Sequence, residues 1–133
     1  MLDTNIVSDM VRNPRGATVR RARDIGQDAL CVSVVTACEL RFGALKKGSP
    51  ALMQRVGGFL SEVPPLPFET AFDGEFARIR VELEMLGRPI SPFDLLIAAH
   101  AKSLDLTLVT DNIREFSRID GLKLENWIER PSA

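Results

Sequence analysis

Four acidic residues in this sequence stand where a carboxylate could take part in chemistry. Asp3 and Asp94 each lie at the start of a stretch with helical spacing, and Glu39 lies in the first half of another, among apolar neighbours. A glutamate in apolar surroundings needs a polar or charged partner. Asp111 directly follows residues 106–110, which have the composition of a buried strand. These positions make the four acids candidates for a shared site.

Each acid also has an ordinary structural interpretation. Asp3 stands at a helix start, where capping the free N–H groups and binding a ligand carry equal weight. Ser91-x-x-Asp94 has the form of a capping box, so Asp94 taken alone is explained by the helix start. Asp111 is typical of a turn, because its side chain can bond to its own backbone. Only a joint arrangement would distinguish a site from separate caps and turns.

The elements around the acids favour a parallel sheet that brings them together. Extended stretches alternate with helical ones, and this order predicts an α/β fold with helices on both faces of the sheet. We expect three layers, with a mainly parallel sheet of four to five strands flanked by helices, in a single domain over residues 1–133. Ligands in such folds bind beyond the carboxyl ends of the strands, where Asp3 and Asp111 are expected.

Hydrophobic spacing predicts the individual elements. Residues 63–67 are too rich in proline for a central strand and indicate an edge element or an extended crossing. The helix that follows Asp94 is apolar on almost every side, which predicts burial between other layers. The predicted helices cover approximately residues 6–12, 17–25, 34–46, 50–60, 69–86 and 92–101, and the strands 1–2, 29–33, 106–110 and 122–124.

A cluster of acids at one rim requires neutralisation, because carboxylates repel each other unless protons or a cation intervene. Oxygen ligands without paired histidine or cysteine favour magnesium, manganese or calcium over zinc, and a phosphate substrate would favour the first two. Such an ion would activate a water and stabilise the leaving oxygen of a phosphate ester, so no serine or cysteine nucleophile is required. The polar neighbours that could orient the water or the phosphate, or serve only as caps and turns, are Thr4, Asn5, Thr110 and Asn112.

Composition and charge set further bounds. Seventeen Lys and Arg against eighteen Asp and Glu give a net charge of −1, so any nucleic-acid site must be local. Basic clusters at residues 12–23 and 41–47 could contact phosphates, but solvated helix faces explain them more simply. No apolar run is long enough to span a bilayer, and no secretory signal opens the chain, so we expect a cytoplasmic protein. Cys31 and Cys38 lack the partners of a zinc site and are interpreted as reduced, buried thiols.

Four blocks of this sequence together resemble one known family. The blocks MLDTNI, SVVTACEL, GRPISPFDLLIAAH and LVTDNIREF occupy residues 1–6, 33–40, 87–100 and 108–116. In this order across one short chain they are similar to the PIN-domain ribonucleases, and specifically to the VapC toxins of bacterial toxin-antitoxin pairs. The resemblance extends from residue 1 to about residue 127.

The resemblance implies a magnesium- or manganese-dependent endoribonuclease. It also implies a homodimer that a cognate VapB-like antitoxin holds inactive. By motif match, Asp3 and Asp94 would be the principal metal ligands, and Glu39 would complete the acidic site through the metal or its water. The usual targets of the family are structured RNAs, tRNA prominent among them, and residues 87–100 look most like members that cut initiator tRNA. His100, in that block, is interpreted as a packing residue.

The fourth acidic position is left open by the resemblance. Many PIN domains carry an acid where this chain has Asn112, so Asp111 would substitute for it or merely flank the site. Glu115 is a further candidate at this edge, although an exposed glutamate at a helix start is its ordinary interpretation.

Two other functions remain open from the sequence. A metal-dependent phosphatase or phosphotransfer enzyme could use the same acids, although enzymes that form an aspartyl-phosphate usually place a second acid where this chain has Asn5. A non-catalytic binding module would need the acids only as helix caps. The apolar faces at residues 6–11 and 52–60 could belong to a dimer or antitoxin surface, and they fit core burial equally well.

Overall fold

The computed structural model of the chain describes residues 1–131, in which helices alternate with short strands. A turn of 3-10 helix, Gln27–Ala29, precedes the first strand. The helices are α1 (Thr4–Arg12), α2 (Ala17–Ile25), α3 (Val34–Lys47), α4 (Pro50–Glu62), α5 (Phe72–Met85), α6 (Pro92–Ser103) and α7 (Ile113–Phe116), and the strands are β1 (Val32–Ser33), β2 (Pro65–Leu66), β3 (Leu108–Val109) and β4 (Leu124–Glu125).

The strands form a parallel sheet whose middle is the N-terminal segment. β1 pairs with β2 and β3 pairs with β4, both in parallel. Leu2 forms a parallel bridge with Val109 of β3, while its N–H donates to the Cys31 carbonyl beside β1 at 2.8 Å. The extended segments therefore lie in the order β2, β1, N-terminal segment, β3, β4, which confirms the predicted, mainly parallel sheet.

Apolar side chains pack on both faces of this sheet. Leu2 and Val109 belong to a buried cluster with α1, α3 and α4, whereas Met1 and Leu108 belong to a second cluster with α5 and α6. Successive residues of a strand point to opposite faces, so this alternation places a helical layer on each side. The predicted three-layer α/β architecture is confirmed.

Some elements are shorter than the sequence pattern predicts. Gly26 has φ +96° and ends α2, and the following turn is closed by the Ala29 N–H on the Gly26 carbonyl, so β1 keeps only Val32–Ser33. The helix expected from residue 69 begins at Phe72, because a turn closed by the Phe72 N–H on the Glu69 carbonyl precedes it. β2 is an edge strand, as its prolines required.

Serine side chains begin the helices that surround the sheet. Ser33, Ser49 and Ser91 accept hydrogen bonds from backbone N–H groups in the first turns of α3, α4 and α6. Gly48 ends α3 in the left-handed conformation at φ +64°, which a residue without a Cβ adopts at little cost. These local signals fix where the helices start and stop, as predicted.

The two apolar faces considered for a docking surface pack mainly inward. Ile6 and Val7 of α1 and Val56 and Leu60 of α4 are all buried in the core. α6 is buried between layers as predicted, with its central apolar residues fully covered. Among residues 1–131, no helix is both long and apolar enough to cross a membrane.

The interpretation of both cysteines as buried thiols is wrong for Cys38. Both cysteines are free, and Cys31 is half-buried beside β1, but Cys38 is exposed on α3. Neighbours of Cys38 on α3, Ala37 and Leu40, face the core, so the helical rotation turns the thiol to solvent.

Candidate active site

Asp3 lies at the carboxyl end of the central N-terminal segment and caps α1. Its Oδ1 accepts the Thr4 N–H at 2.8 Å, and its Oδ2 accepts the Thr110 hydroxyl at 2.8 Å and the Asn5 amide at 3.2 Å. The residue is only 3% exposed. Burial raises the pKa of Asp3, although the three hydrogen bonds oppose this rise by stabilising the ionised form.

Asp94 stands in the first turn of α6 and is half-buried. Its pKa is raised to about 6, and burial is the largest cause. The charge of Asp3 is the next cause, and a hydrogen bond with Ser91 works against it. The charges of Glu115 and Glu39 raise the pKa further. Carboxylates from the N-terminal segment, α3, α6 and α7 therefore face one region, at the rim of the sheet.

Glu39 projects to this rim from α3 and is held by a hydroxyl group. Its Oε1 accepts the Thr4 hydroxyl at 2.6 Å, and the oxygen of Thr4 lies 3.3 Å from the hydroxyl oxygen of Thr36. Thr4 is the partner that a half-buried glutamate requires. Thr36 was not predicted as a site residue, because its contact with Thr4 joins two helices that meet only after folding.

Asp111 is turned toward the C-terminal segment. Its Oδ1 and Oδ2 accept hydrogen bonds from the Arg130 guanidinium at 2.7 and 2.6 Å, and its Oδ1 also accepts the Asn126 amide. The hydrogen bond from Arg130 is the main reason why the pKa of Asp111 is lowered. Asp111 is not among the charges that raise the pKa of Asp94.

Glu115 occupies the edge of the rim beside Asp94. The Asn112 amide donates to its Oε2 at 3.0 Å, and the Asn112 N–H donates to the Thr110 hydroxyl oxygen at 3.0 Å. Because Thr110 also donates to Asp3, a chain of hydrogen bonds through Thr110 and Asn112 links Asp3 to Glu115. Of Asp111 and Glu115, only Glu115 is among the charges that raise the pKa of Asp94.

These acids have no cationic side-chain partner among residues 1–131. Within the part of the chain that the structure describes, none of the ion pairs includes a carboxylate of the rim. In the same residues, no group of three acidic, histidine or cysteine side chains lies close enough to hold one ion together. The donors that do face each other are all oxygens, which suits a hard divalent cation held by one or two carboxylates and several waters.

Comparison with known proteins places the chain in a family. The model of the PIN domain matches residues 1–122. The chain is 41% identical to the tRNA(fMet)-specific endonuclease VapC of Shigella flexneri over 128 residues, which is 96% of each protein. It is 37% identical to the protein of the same description in Salmonella typhimurium, again over 96% of each.

Solved structures agree with this placement. The VapBC2 complex of Rickettsia felis, bound to a DNA fragment from its promoter, contains a chain that matches with a TM-score of 0.87 at 32% identity, covering 96% of this chain and 98% of that one. The DNA-bound VapBC of Salmonella typhimurium gives a TM-score of 0.86 at 37% identity, with coverage of 96% and 97%.

Proposed function

This chain belongs to the PIN-domain family, and we propose that it is a VapC-type toxin, a metal-dependent endoribonuclease that cuts tRNA and is held inactive by a VapB-like antitoxin. The observation that carries this proposal is a group of acids at one rim, three of them (Asp3, Glu39 and Glu115) held by Thr4, Thr110 and Asn112 and acting on the fourth, Asp94, with no cationic side chain of residues 1–131 paired to them. Carboxylates grouped in this way repel each other unless protons or a cation neutralise them, and a bound cation does so without loss of their charge.

Asp3 and Asp94 are the residues that would hold Mg²⁺ or Mn²⁺, with Glu39 and Glu115 acting through the ion or its waters. A bound divalent cation supplies a water of lowered pKa and positive charge beside the phosphate. The protein's own contribution is orientation, because Thr110 and Asn5 fix Asp3. Thr4 and Asn112 fix the two glutamates in the same way.

The relatives support tRNA as the substrate. Two of them are named for tRNA(fMet), and we propose initiator tRNA as the target of this chain also. The net charge of the protein is −1, so its contacts with RNA phosphates must come from a few local cations. Arg12 and Lys47 are suitable, since both line a groove that reaches Thr4 and Glu39.

The same groove is the surface that we propose for the antitoxin. It has a volume of about 250 Å³, lies between α1, α3 and α4, and is walled by Val11, Leu40 and Leu52. An amphipathic segment of a partner could bury apolar side chains there and reach Glu39 at its end. Matching chains of known structure come from VapBC complexes, which supports a partner of this class. We place the toxin, its antitoxin and its RNA in the cytoplasm.

The proposal is tested by incubating the purified chain with initiator tRNA and mapping the ends of the products. We expect cleavage at one position with Mn²⁺ and none with EDTA. Asp94→Asn should lower the rate by at least about 1000-fold, because it removes a charge that holds the ion. Asp24→Asn, at an exposed position on α2, is the matched control and should cut normally.

The same assay decides the fourth acid. Glu115→Gln should lower the rate by about tenfold or more, and Asp111→Asn by much less, because only Glu115 is turned to Asp94. If Asp94→Asn cut tRNA at the rate of the parent protein, the proposed nuclease function would be wrong. Release of phosphate from small phosphomonoesters would instead support a phosphatase, and unaltered Mn²⁺ binding by a folded protein with both Asp3→Asn and Asp94→Asn would support a binding module.

A further inference from the structure

A buried hydrogen bond joins the helix that carries Asp94 to the helix that carries Glu39. His100 Nδ1 of α6 lies 2.8 Å from the hydroxyl oxygen of Ser33, the N-cap of α3. Both residues are inaccessible to solvent, at 1% and 0% exposed. The bond therefore connects two elements of the acidic rim in the interior, below the rim itself.

The direction of this bond follows from the hydrogen-bonding groups available. The oxygen of Ser33 already accepts the Val35 N–H at 3.1 Å. His100 Nδ1 is the acceptor within residues 1–131 that faces the remaining hydroxyl hydrogen of Ser33. Ser33 thus donates to Nδ1, and the neutral ring carries its proton on Nε2.

The other ring nitrogen, Nε2, makes packing alone a poor explanation for a histidine at this position. Nε2 is buried and has no hydrogen-bond partner within the described residues. The ring meets Phe68 and Phe72 at centroid distances of 5.0 and 6.1 Å. Burial lowers the pKa of His100, and the Pro67 carbonyl and the charge of Glu69 oppose this, although the Pro67 carbonyl does not lie in hydrogen-bond geometry with Nε2. An apolar side chain would fill this space without leaving a donor unsatisfied.

We propose that His100 is a positioning residue. By accepting a hydrogen bond from the Ser33 hydroxyl, it fixes α3 against α6. Glu39 and Asp94 are thereby held at the separation that a divalent cation needs. This role rests on the proposed function of the rim. Ser33 caps α3 with the same oxygen that bonds to His100, so a displacement of the ring shifts the start of the helix that carries Glu39. Metal sites tolerate displacements of only about 0.5 Å in their supporting residues.

Substitutions of His100 separate its two nitrogens. The amide oxygen of His100→Asn falls near the position of Nδ1 and can accept the Ser33 hydroxyl, whereas the amide of His100→Gln reaches the position of Nε2. His100→Leu retains the apolar volume alone. We would measure Mn²⁺ affinity by calorimetry without RNA, then the Mn²⁺ concentration for half-maximal tRNA cleavage, at a temperature where thermal melting shows each variant folded.

We expect His100→Asn to bind Mn²⁺ within about threefold of the parent, and His100→Gln and His100→Leu to bind it about tenfold more weakly. Ser33→Ala should resemble His100→Leu and provides the answer if that variant does not fold. Since Ser33→Ala also removes a helix cap, Ser49→Ala is its control, because it removes the equivalent cap of α4 and leaves Mn²⁺ affinity unchanged.

Parental Mn²⁺ affinity in folded His100→Leu or Ser33→Ala would overturn the role of His100. Parental Mn²⁺ affinity in His100→Gln together with weakened affinity in His100→Asn would also overturn it, because Nε2 and not Nδ1 would then be the atom that matters. A parent protein that neither binds Mn²⁺ nor cuts RNA overturns the proposed function itself, and the role of His100 with it. Binding by the parent and by every variant alike overturns the role of His100 alone.

Discussion

At the rim of the sheet, each acid is held by a neutral partner. Asp3 is bonded to Thr110, and Glu39 to Thr4. Hydroxyl and amide groups orient a carboxylate without cancelling its charge, whereas the arginine beside Asp111 cancels it. The acids of the rim therefore keep their negative charge where we propose that a cation binds, whereas the charge of Asp111 is neutralised by Arg130.

Retaining this charge has a cost that can be measured at Asp94. Its pKa of about 6 in the folded protein lies above the ordinary value of 3.8. The folded state therefore holds a proton that the unfolded chain has already released, and stability falls as pH rises from about 4 to about 6. Without metal, the ionised carboxylate destabilises the fold at neutral pH.

We predict that Asp94→Asn stabilises the metal-free protein at about pH 7.5 by about 1 kcal/mol. The full pKa shift would correspond to roughly 3 kcal/mol, and the smaller figure applies because the side chain is half-exposed and its charge is screened by solvent. At about pH 3 the two proteins should be equally stable, since the Asp94 carboxyl is then neutral in both the folded and the unfolded state. Urea denaturation in EDTA at the two pH values measures this. An equal difference at both would show that the effect is not due to ionisation.

At the scale of elements, helix ends position the site more than the strands do. Each strand contributes two residues to the ladder, so the sheet defines the order of the segments but offers few bonds to align them. α6 begins at Pro92, directly after its cap Ser91, and a loop that contains Gly87 joins it to α5, which ends at Met85. The direction of that loop decides where Asp94 lies.

Gly87 has φ +64°, and a Cβ placed on it would meet no atom within 4 Å. Any effect of Gly87→Ala must therefore come from the backbone conformation, and we predict a loss of about 1 kcal/mol of unfolding free energy. Gly58 of α4 has equally open surroundings but an ordinary helical position. We predict that Gly58→Ala raises the unfolding free energy by about 0.5 to 1 kcal/mol. Chemical denaturation of both variants checks the pair, and effects of the same sign would contradict the explanation.

The whole molecule leaves a group of apolar side chains uncovered on α5 and just after it. Val81, Met85 and Leu86 are 55%, 82% and 64% exposed. Large apolar residues grouped on the surface often mark a contact with another protein. The family resemblance implies a homodimer, and α5 offers it a surface that does not involve the groove between α1, α3 and α4.

We predict that the chain is a dimer through this face and that Met85→Glu weakens the dimer by at least about tenfold, because a charge would be buried in the contact. Leu45→Glu is the matched control, since Leu45 is a comparably exposed apolar residue on α3, at 70%. Sedimentation equilibrium of the parent and both variants measures the association. A dimer weakened only by Leu45→Glu would assign the contact to α3 instead.

Helix ends, the order of strands and helices, and the family can all be read from the sequence alone. Ser91 and Gly48 fix helix ends through bonds within one turn, so their roles can be read from neighbouring residues. The alternation of strands and helices predicted the parallel sheet, and with it a common rim for Asp3 and Asp94. The four blocks identified the family without any coordinates.

Contacts between distant residues, in contrast, are visible only in the folded chain. The sequence favours Asp111 over Glu115 as the fourth acid, and it does not show that the path of the C-terminal segment brings Arg130 to Asp111. The bond between Ser33 and His100 spans 67 residues and leaves no periodic signal. Hydrophobic spacing shows that a helix has an apolar face, but not whether that face meets the core or a partner. That distinction depends on how the layers pack, because burial is a property of the assembled surface and not of any single segment.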